Sequence, residues 1–230
     1  MTQYDKIGEL YKNKINISKK EEFSKNFILN EFDPNNQIVV DLGCGYGRDI
    51  ELFEQKGAKL VYGLDDSEYM VKETKKVSKT PQNILWCEMW TIPLGDKSVD
   101  IVIAKHSLHY LSKWRLVQTI ISISRILKPN GKFIFTVPHP FSNVFLKESK
   151  NYETEETIKF KAHDEFVLEY HSHQLKDYFS PVFLSLFDIK NICEFTKEEN
   201  WIENFMVPVV LCVSATKKSN NMVSINIEGQ

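Results

Sequence analysis

With 230 residues, 29 basic and 31 acidic side chains and a net charge of −2, the chain has length for one domain and its core, and no electrostatic footprint for nucleic acid. Its four cysteines, Cys44, Cys87, Cys193 and Cys212, form no C-x-x-C pair and sit mostly in apolar runs, which suits buried thiols in a reducing compartment rather than a metal or redox set. No apolar run approaches the ~18 residues of a membrane span and the first ten residues are polar, so a cytoplasmic protein that does not engage a membrane is expected.

Taken in order, the first 32 residues carry Tyr4, Ile7, Leu10 and Tyr11, then Phe23, Phe27 and Ile28, at helical spacing, which predicts two helices. Residues 38–42 form an apolar run holding Asp41, and Gly43, Gly45 and Gly47 follow at spacing two. That pattern predicts a buried strand feeding a tight turn, then a helix from Arg48 to Gln55 that Gly57 stops. Glycines at such a turn let a ligand lie against the backbone, while an acid at the strand end repels phosphate and suits a ligand carrying an ammonium. A second strand is expected over 59–64. Ser67 is placed to cap a helix running to about Ser78, Pro81 ends it, and a third strand covers 83–87.

An irregular loop over 90–98 leads to a fourth strand at 99–104, with Lys105 to Tyr110 at its carboxyl end, where ligands sit in an open parallel sheet. A helix over 112–127, a Lys128–Gly131 stop and a fifth strand over 132–137 follow. The stretch 141–170 is charge-rich and lacks a sustained period until 166–170. Beyond it the pattern predicts one helix over 175–186, strands over 187–195 and 207–216, and a disordered polar tail.

The run D-x-G-x-G-x-G at 41–47 resembles the first motif of the class I S-adenosylmethionine-dependent methyltransferases. Residues 61–67, VYGLDDS, are similar to that family's second strand end, and residues 88–111 resemble its third and fourth strand-end segments in the small-molecule enzymes. Resemblance is close over roughly 37–137 and looser to Lys217. It implies a Rossmann-like, doubly wound α/β fold of seven strands, mostly parallel with an antiparallel last strand and helices on both faces. One domain over 1–217 is expected, with residues 1–33 as a helical cover, 139–172 as a substrate lid and 218–230 as a polar tail.

The same resemblance implies S-adenosylmethionine as cofactor. Gly43, Cys44, Gly45 and Gly47 would admit its methionine end with Asp41 organising the turn, and Asp65 would hold the ribose, 20 residues after Gly45. Glu88 and Met89 would meet the adenine, flanked by Asp66 and Met70, with Ala104 and Lys105 at the fourth strand end completing the set. Glu88 departs from the aspartate common at its position.

Methyl transfer from a sulfonium asks the protein chiefly for in-line placement and, for an amine or hydroxyl acceptor, a base. His109 and His139 follow the fourth and fifth strands and are the candidates for that role. Tyr4, Tyr11, Tyr110, His171 and His173 are candidates for touching the acceptor, although the tyrosines also fit a covering helix's apolar stripe, and each histidine has an ordinary turn or cap reading. No metal is expected, because the histidine pairs lack accompanying acids. Residues 104–110, AKHSLHY, lack both the N/D-P-P-Y run of amino-methylating DNA enzymes and the Pro-Cys of cytosine-carbon enzymes, which favours nitrogen or oxygen of a small molecule. Two rivals stay open: a protein that holds the cofactor without turnover, and a nicotinamide oxidoreductase, against which the G-x-G-x-G spacing argues.

Overall fold

A computed structural model describes residues 2–14, 18–142, 152–162, 166–202 and 205–219. Seven strands make one sheet: β1 (Ile38–Leu42), β2 (Leu60–Asp65), β3 (Ile84–Trp86), β4 (Val99–Lys105), β5 (Leu127–Pro138), β8 (Phe187–Ile202) and β9 (Phe205–Lys217). Their spatial order is β3-β2-β1-β4-β5-β9-β8; the first five run parallel, and β9 pairs antiparallel with both neighbours. Val39 to Leu42 and Ile101 to Ala104 are buried without interruption, as strands covered on both faces must be. The two large apolar clusters of the core are the two sides of this sheet.

Helices α1 (Gln3–Lys14), α2 (Lys19–Glu31), α3 (Arg48–Gln55), α4 (Glu68–Val77) and α5 (Lys113–Ile126) fall close to where the periodicity puts them. Their starts have identifiable causes: the hydroxyls of Ser18, Ser67 and Ser112 accept the amides of Glu21, Met70 and Arg115. Strand order reverses between β1 and β4, which opens a crevice beyond their carboxyl ends.

Several boundaries differ from the sequence reading. The stretch lacking a period contains a two-stranded antiparallel ladder, β6 (Thr157–Ala162) with β7 (Phe166–His171), whose short strands gave no long repeat. The helix expected over 175–186 is two, α6 (Leu175–Tyr178) and α7 (Pro181–Leu186). Pro181 opens the second, and its ring disfavours helical backbone at Ser180. Strand β5 begins at Leu127, and the Lys128–Gly131 turn sits inside it as a register shift, pairing jumping from Val99–Leu127 to Ile101–Lys132. Strands β8 and β9 extend further than 195 and begin before 207. Of the expected lid and tail, residues 143–151, 163–165 and 220–230 lie outside the described residues.

Candidate functional site

A cavity of about 670 Å³ occupies the crevice at the ends of β1, β2 and β4, and α1 and β7 contribute residues to its cover. The glycine turn forms its floor. A Cβ on Gly45 would meet nothing within 4 Å, and its φ of 54° is one that L side chains rarely adopt, so this backbone is open to a ligand. Gly43 also lines the cavity, but here the missing side chain makes room for the protein: a Cβ would stand 2.5 Å from that of Ser107.

Beside the turn, the Asp41 carboxyl is buried and lines the cavity; burial first, then repulsion from Asp49, pushes it well above the ordinary range. Lys105, at the end of β4, bonds both Glu21 at 2.6 Å and Asp49 at 2.7 Å. Burial alone would make it a weaker cation, yet the two carboxylates outweigh that and hold it above the usual lysine value. Their chain neighbours Lys20 and Arg48 also line the cavity, with no ion pair among the described residues. Asp41 and these two cations are placed to meet an amino-acid zwitterion, whose ammonium would draw the Asp41 carboxyl back toward its charged form.

Along β2, the Asp65 carboxylate accepts the amides of Gly45 at 2.9 Å and Ser67 at 3.0 Å, tying the glycine turn to the start of α4. Burial pushes its pKa up to about 6 despite those two bonds. Asp66, Met70, Met89 and Trp90 continue this wall, and the Arg115 guanidinium lies 4.0 Å over the Trp90 ring.

The opposite wall is aromatic. Tyr4 and Tyr11 from α1, His109 and Tyr110 after β4, and Tyr170 from β7 all line the cavity. His109 lies 4.1 Å from the Tyr110 ring and 4.8 Å from Tyr170, centroid to centroid. Burial holds its pKa well below the ordinary histidine value, so the imidazole is neutral at pH 7. Its Nδ1 is sealed without a partner, which leaves Nε2 as the ring nitrogen that can meet a ligand. His106, also in the lining, spends Nε2 on the Ser24 hydroxyl at 2.9 Å.

Residues 40–135 match a family model described as a methyltransferase domain. The chain is 31% identical over 139 residues to the uncharacterized protein MJ1252 of Methanocaldococcus jannaschii, covering 58% of this chain and 49% of that one. It is 23% identical over 131 residues, half of this chain and 31% of the other, to the mRNA cap guanine-N(7) methyltransferase of Candida glabrata. Among solved structures, an S-adenosylmethionine-dependent methyltransferase from Mesorhizobium loti superposes with a TM-score of 0.67 at 19% identity, over 86% of this chain and 98% of that one. Over residues 40–135 the chain resembles a methyltransferase domain, and it shares its fold with that S-adenosylmethionine-dependent enzyme. It spans about half the length of the first curated relatives it matches.

The residues lining the cavity fit S-adenosylmethionine. The zwitterionic methionine end finds Asp41, Lys20 and Arg48 beside the open Gly45 backbone, and the adenosine end finds Asp65, Asp66, Met70 and Met89. Of the residues expected at the cofactor from sequence, Asp41, Gly43, Cys44, Gly45, Asp65, Asp66, Met70, Met89 and Lys105 line the cavity. Gly47, Glu88 and Ala104 are not in the lining. Gly47 begins α3 and packs on α4, where a Cβ would stand 2.8 Å from Thr74, and Ala104 is buried in the core of β4.

On the acceptor side Tyr4, Tyr11, Tyr110, His109 and His171 are brought together, and two histidines are not. His139 is buried outside the lining, with Nε2 2.7 Å from Glu194 and Nδ1 accepting the Phe141 amide. His173 bonds the Leu111 carbonyl through Nε2 at 2.8 Å. Sequence reading missed Lys20, Tyr46, Arg48, Asp49, Trp90, Arg115 and Tyr170. Arg48 and Asp49 directly follow the glycine turn and Trp90 follows Met89, so adjacency was a usable signal for those three. Among the described residues no metal-binding cluster occurs, and no helix is long and apolar enough to cross a membrane.

Proposed function

We propose that the chain is a cytoplasmic methyltransferase that moves a methyl group from S-adenosylmethionine to nitrogen or oxygen of a small molecule. The observation that carries this reading is one cavity with two unlike walls, an acid-rich one complementary to the cofactor and an aromatic one facing it. Its volume of about 670 Å³ falls within the range of roughly 300–1,000 Å³ that small-molecule sites occupy. Roofing by α1 and β7 favours an acceptor that fits inside over a polymer laid across the mouth.

When bound, the cofactor supplies a methyl group that is already electrophilic, on a sulfonium that departs as a neutral thioether. The chain's own work is placement, worth up to about 7–11 kcal/mol for a well-held pair. The acceptor gives the electron pair of the new bond to carbon, sulfur keeps the pair of the old one, and the acceptor's proton leaves to solvent. His109, neutral and facing the cavity, is the group that orients the acceptor.

Calorimetric titration with S-adenosylmethionine, S-adenosylhomocysteine and NAD tests the cofactor, and Asp65→Ala tests the site. Both adenosyl ligands should bind, the variant should lose them, and NAD should not bind. Turnover of isotopically labelled methyl onto a panel of small amines and alcohols then separates an enzyme from a protein that only holds the cofactor. NAD binding without adenosyl binding would make the chain an oxidoreductase.

A further inference from the structure

Three of the chain's 29 basic side chains are arginines, and they are used differently. Arg125, on α5, donates to the carbonyls of Ile92 and Leu94 at 2.7 Å and to Asp96 at 2.8 Å, which clamps the loop after β3 onto that helix. Arg48 follows the glycine turn directly and lines the cavity there. Arg115, in the first turn of α5, also lines the cavity, and it has no carboxylate partner among the described residues.

The Arg115 guanidinium is held in place without being neutralised. Its Cζ lies 4.0 Å from the Trp90 ring centroid, and Nη1 donates to Gln118 Oε1 at 3.0 Å. Trp90 is fixed in turn, its carbonyl accepting the Ser122 hydroxyl at 2.8 Å. A guanidinium stacked by its face keeps the N–H groups of its edge in one plane, and that edge matches the two oxygens of a carboxylate.

The acids that share the cavity are engaged elsewhere. Glu21 and Asp49 hold Lys105, Asp65 accepts two backbone amides, and Glu169 pairs with Lys159 at 3.3 Å. Arg115 also belongs to a different part of the lining from Arg48. The Lys113 amide, at the start of α5, donates to Glu155 at 2.9 Å, and the same carboxylate meets His171 of β7 at 3.3 Å. Those two contacts set the first turn of α5 beside the β6–β7 ladder, on the side of the cavity given to the acceptor.

We propose that Arg115 is the anion anchor of the acceptor site, and that the acceptor is a small molecule carrying a carboxylate. This deepens the methyltransferase reading and rests on it for the word acceptor; the anion preference rests on Arg115 alone. With its lone pairs directed at the guanidinium, the carboxylate is a handle, and the methyl group goes to another nitrogen or oxygen of the same molecule.

The test uses the full chain, with and without saturating S-adenosylhomocysteine, and matched sets such as benzoate, benzamide and phenyl phosphate with aliphatic counterparts. Binding is read by saturation-transfer NMR with competition. Carboxylates should bind at least about tenfold more tightly than their amides, the scale of one hydrogen bond to a charged group. Arg115→Gln keeps a planar group and removes the charge, so that preference should vanish while S-adenosylhomocysteine affinity by calorimetry holds.

Amides that bind as tightly as carboxylates overturn the proposal, as do a phosphate that binds more tightly and a panel in which no carboxylate binds. Loss of S-adenosylhomocysteine affinity in Arg115→Gln overturns it too, because the arginine would then serve the cofactor. If S-adenosylhomocysteine fails to bind while a carboxylate preference that depends on Arg115 persists, the methyltransferase reading falls and the anion site stands.

Discussion

Gly8 lies inside α1 where that helix crosses Tyr69 of α4, and Gly8→Ala sets two effects against each other. In a helix interior, alanine gains about 1 kcal/mol over glycine. At this crossing its Cβ would stand 2.2 Å from Tyr69 Cδ1 and 2.4 Å from Cε1, so α1 must retreat from 2.2 to at least 3.4 Å, a shift of about 1.2 Å. Hydrogen bonds do not survive such a shift. At risk are the Tyr46 hydroxyl on the Gly8 carbonyl, the Ser67 hydroxyl and Tyr69 amide on the Asp5 carboxylate, and Gln3 on the Glu169 backbone.

The three neutral bonds at about 1 kcal/mol each come to about 3 kcal/mol, and the two to Asp5 add little because that carboxylate is largely solvated. The net of about 2 kcal/mol corresponds to roughly thirtyfold in docking of α1. Since Thr2, Gln3, Tyr4 and Tyr11 line the cavity, S-adenosylhomocysteine affinity by calorimetry should fall by about that factor, with faster amide exchange over residues 3–14. Unchanged affinity with slower exchange would mean that Tyr69 swings aside and propensity wins, which refutes the role given to this crossing.

Replacing Lys105 by Met removes the cation between Glu21 and Asp49 and leaves two carboxylates facing buried Asp41; breaking a buried pair this way costs about 3–5 kcal/mol, so the melting temperature should drop by about 10 °C. A drop of only a degree or two would show that water replaces the lysine. Asp65 is raised from a free-acid value of about 3.9 to about 6, so the folded form holds its proton longer and stability is lost as pH rises from about 4 through about 6. In thermal melts between those limits, Asp65→Asn should flatten the decline, and an unchanged slope would assign it elsewhere. His139→Ala should lower stability by about 1–3 kcal/mol, because two buried bonds are lost, with cofactor affinity kept. Loss of affinity at unchanged melting temperature would return His139 to the site.

The cofactor half of the site is legible in the sequence because it is local. Asp41, the glycines, Asp65, Asp66 and Met89 sit at strand ends or in the residues just after them, and period, glycine spacing and capping serines locate those ends within a residue or two. Adjacency misleads where one backbone position serves packing instead: Gly47 and Ala104 lie beside lining residues, and each faces its own core.

The sequence by itself determined the strand–turn–helix units, their order along the chain and the acids at their ends, because hydrophobic period and turn chemistry act over a few residues. Only the tertiary structure decided which distant side chains meet. Lys105 draws in Glu21 from 84 residues away, and Lys20 and Arg48 come to line the same cavity. Tyr4 reaches Tyr110 across 106 residues. His109 enters the cavity while His139, equally well placed after a strand, turns to Glu194. Such pairings depend on how helices and loops pack over the sheet, and no spacing in the chain encodes that packing.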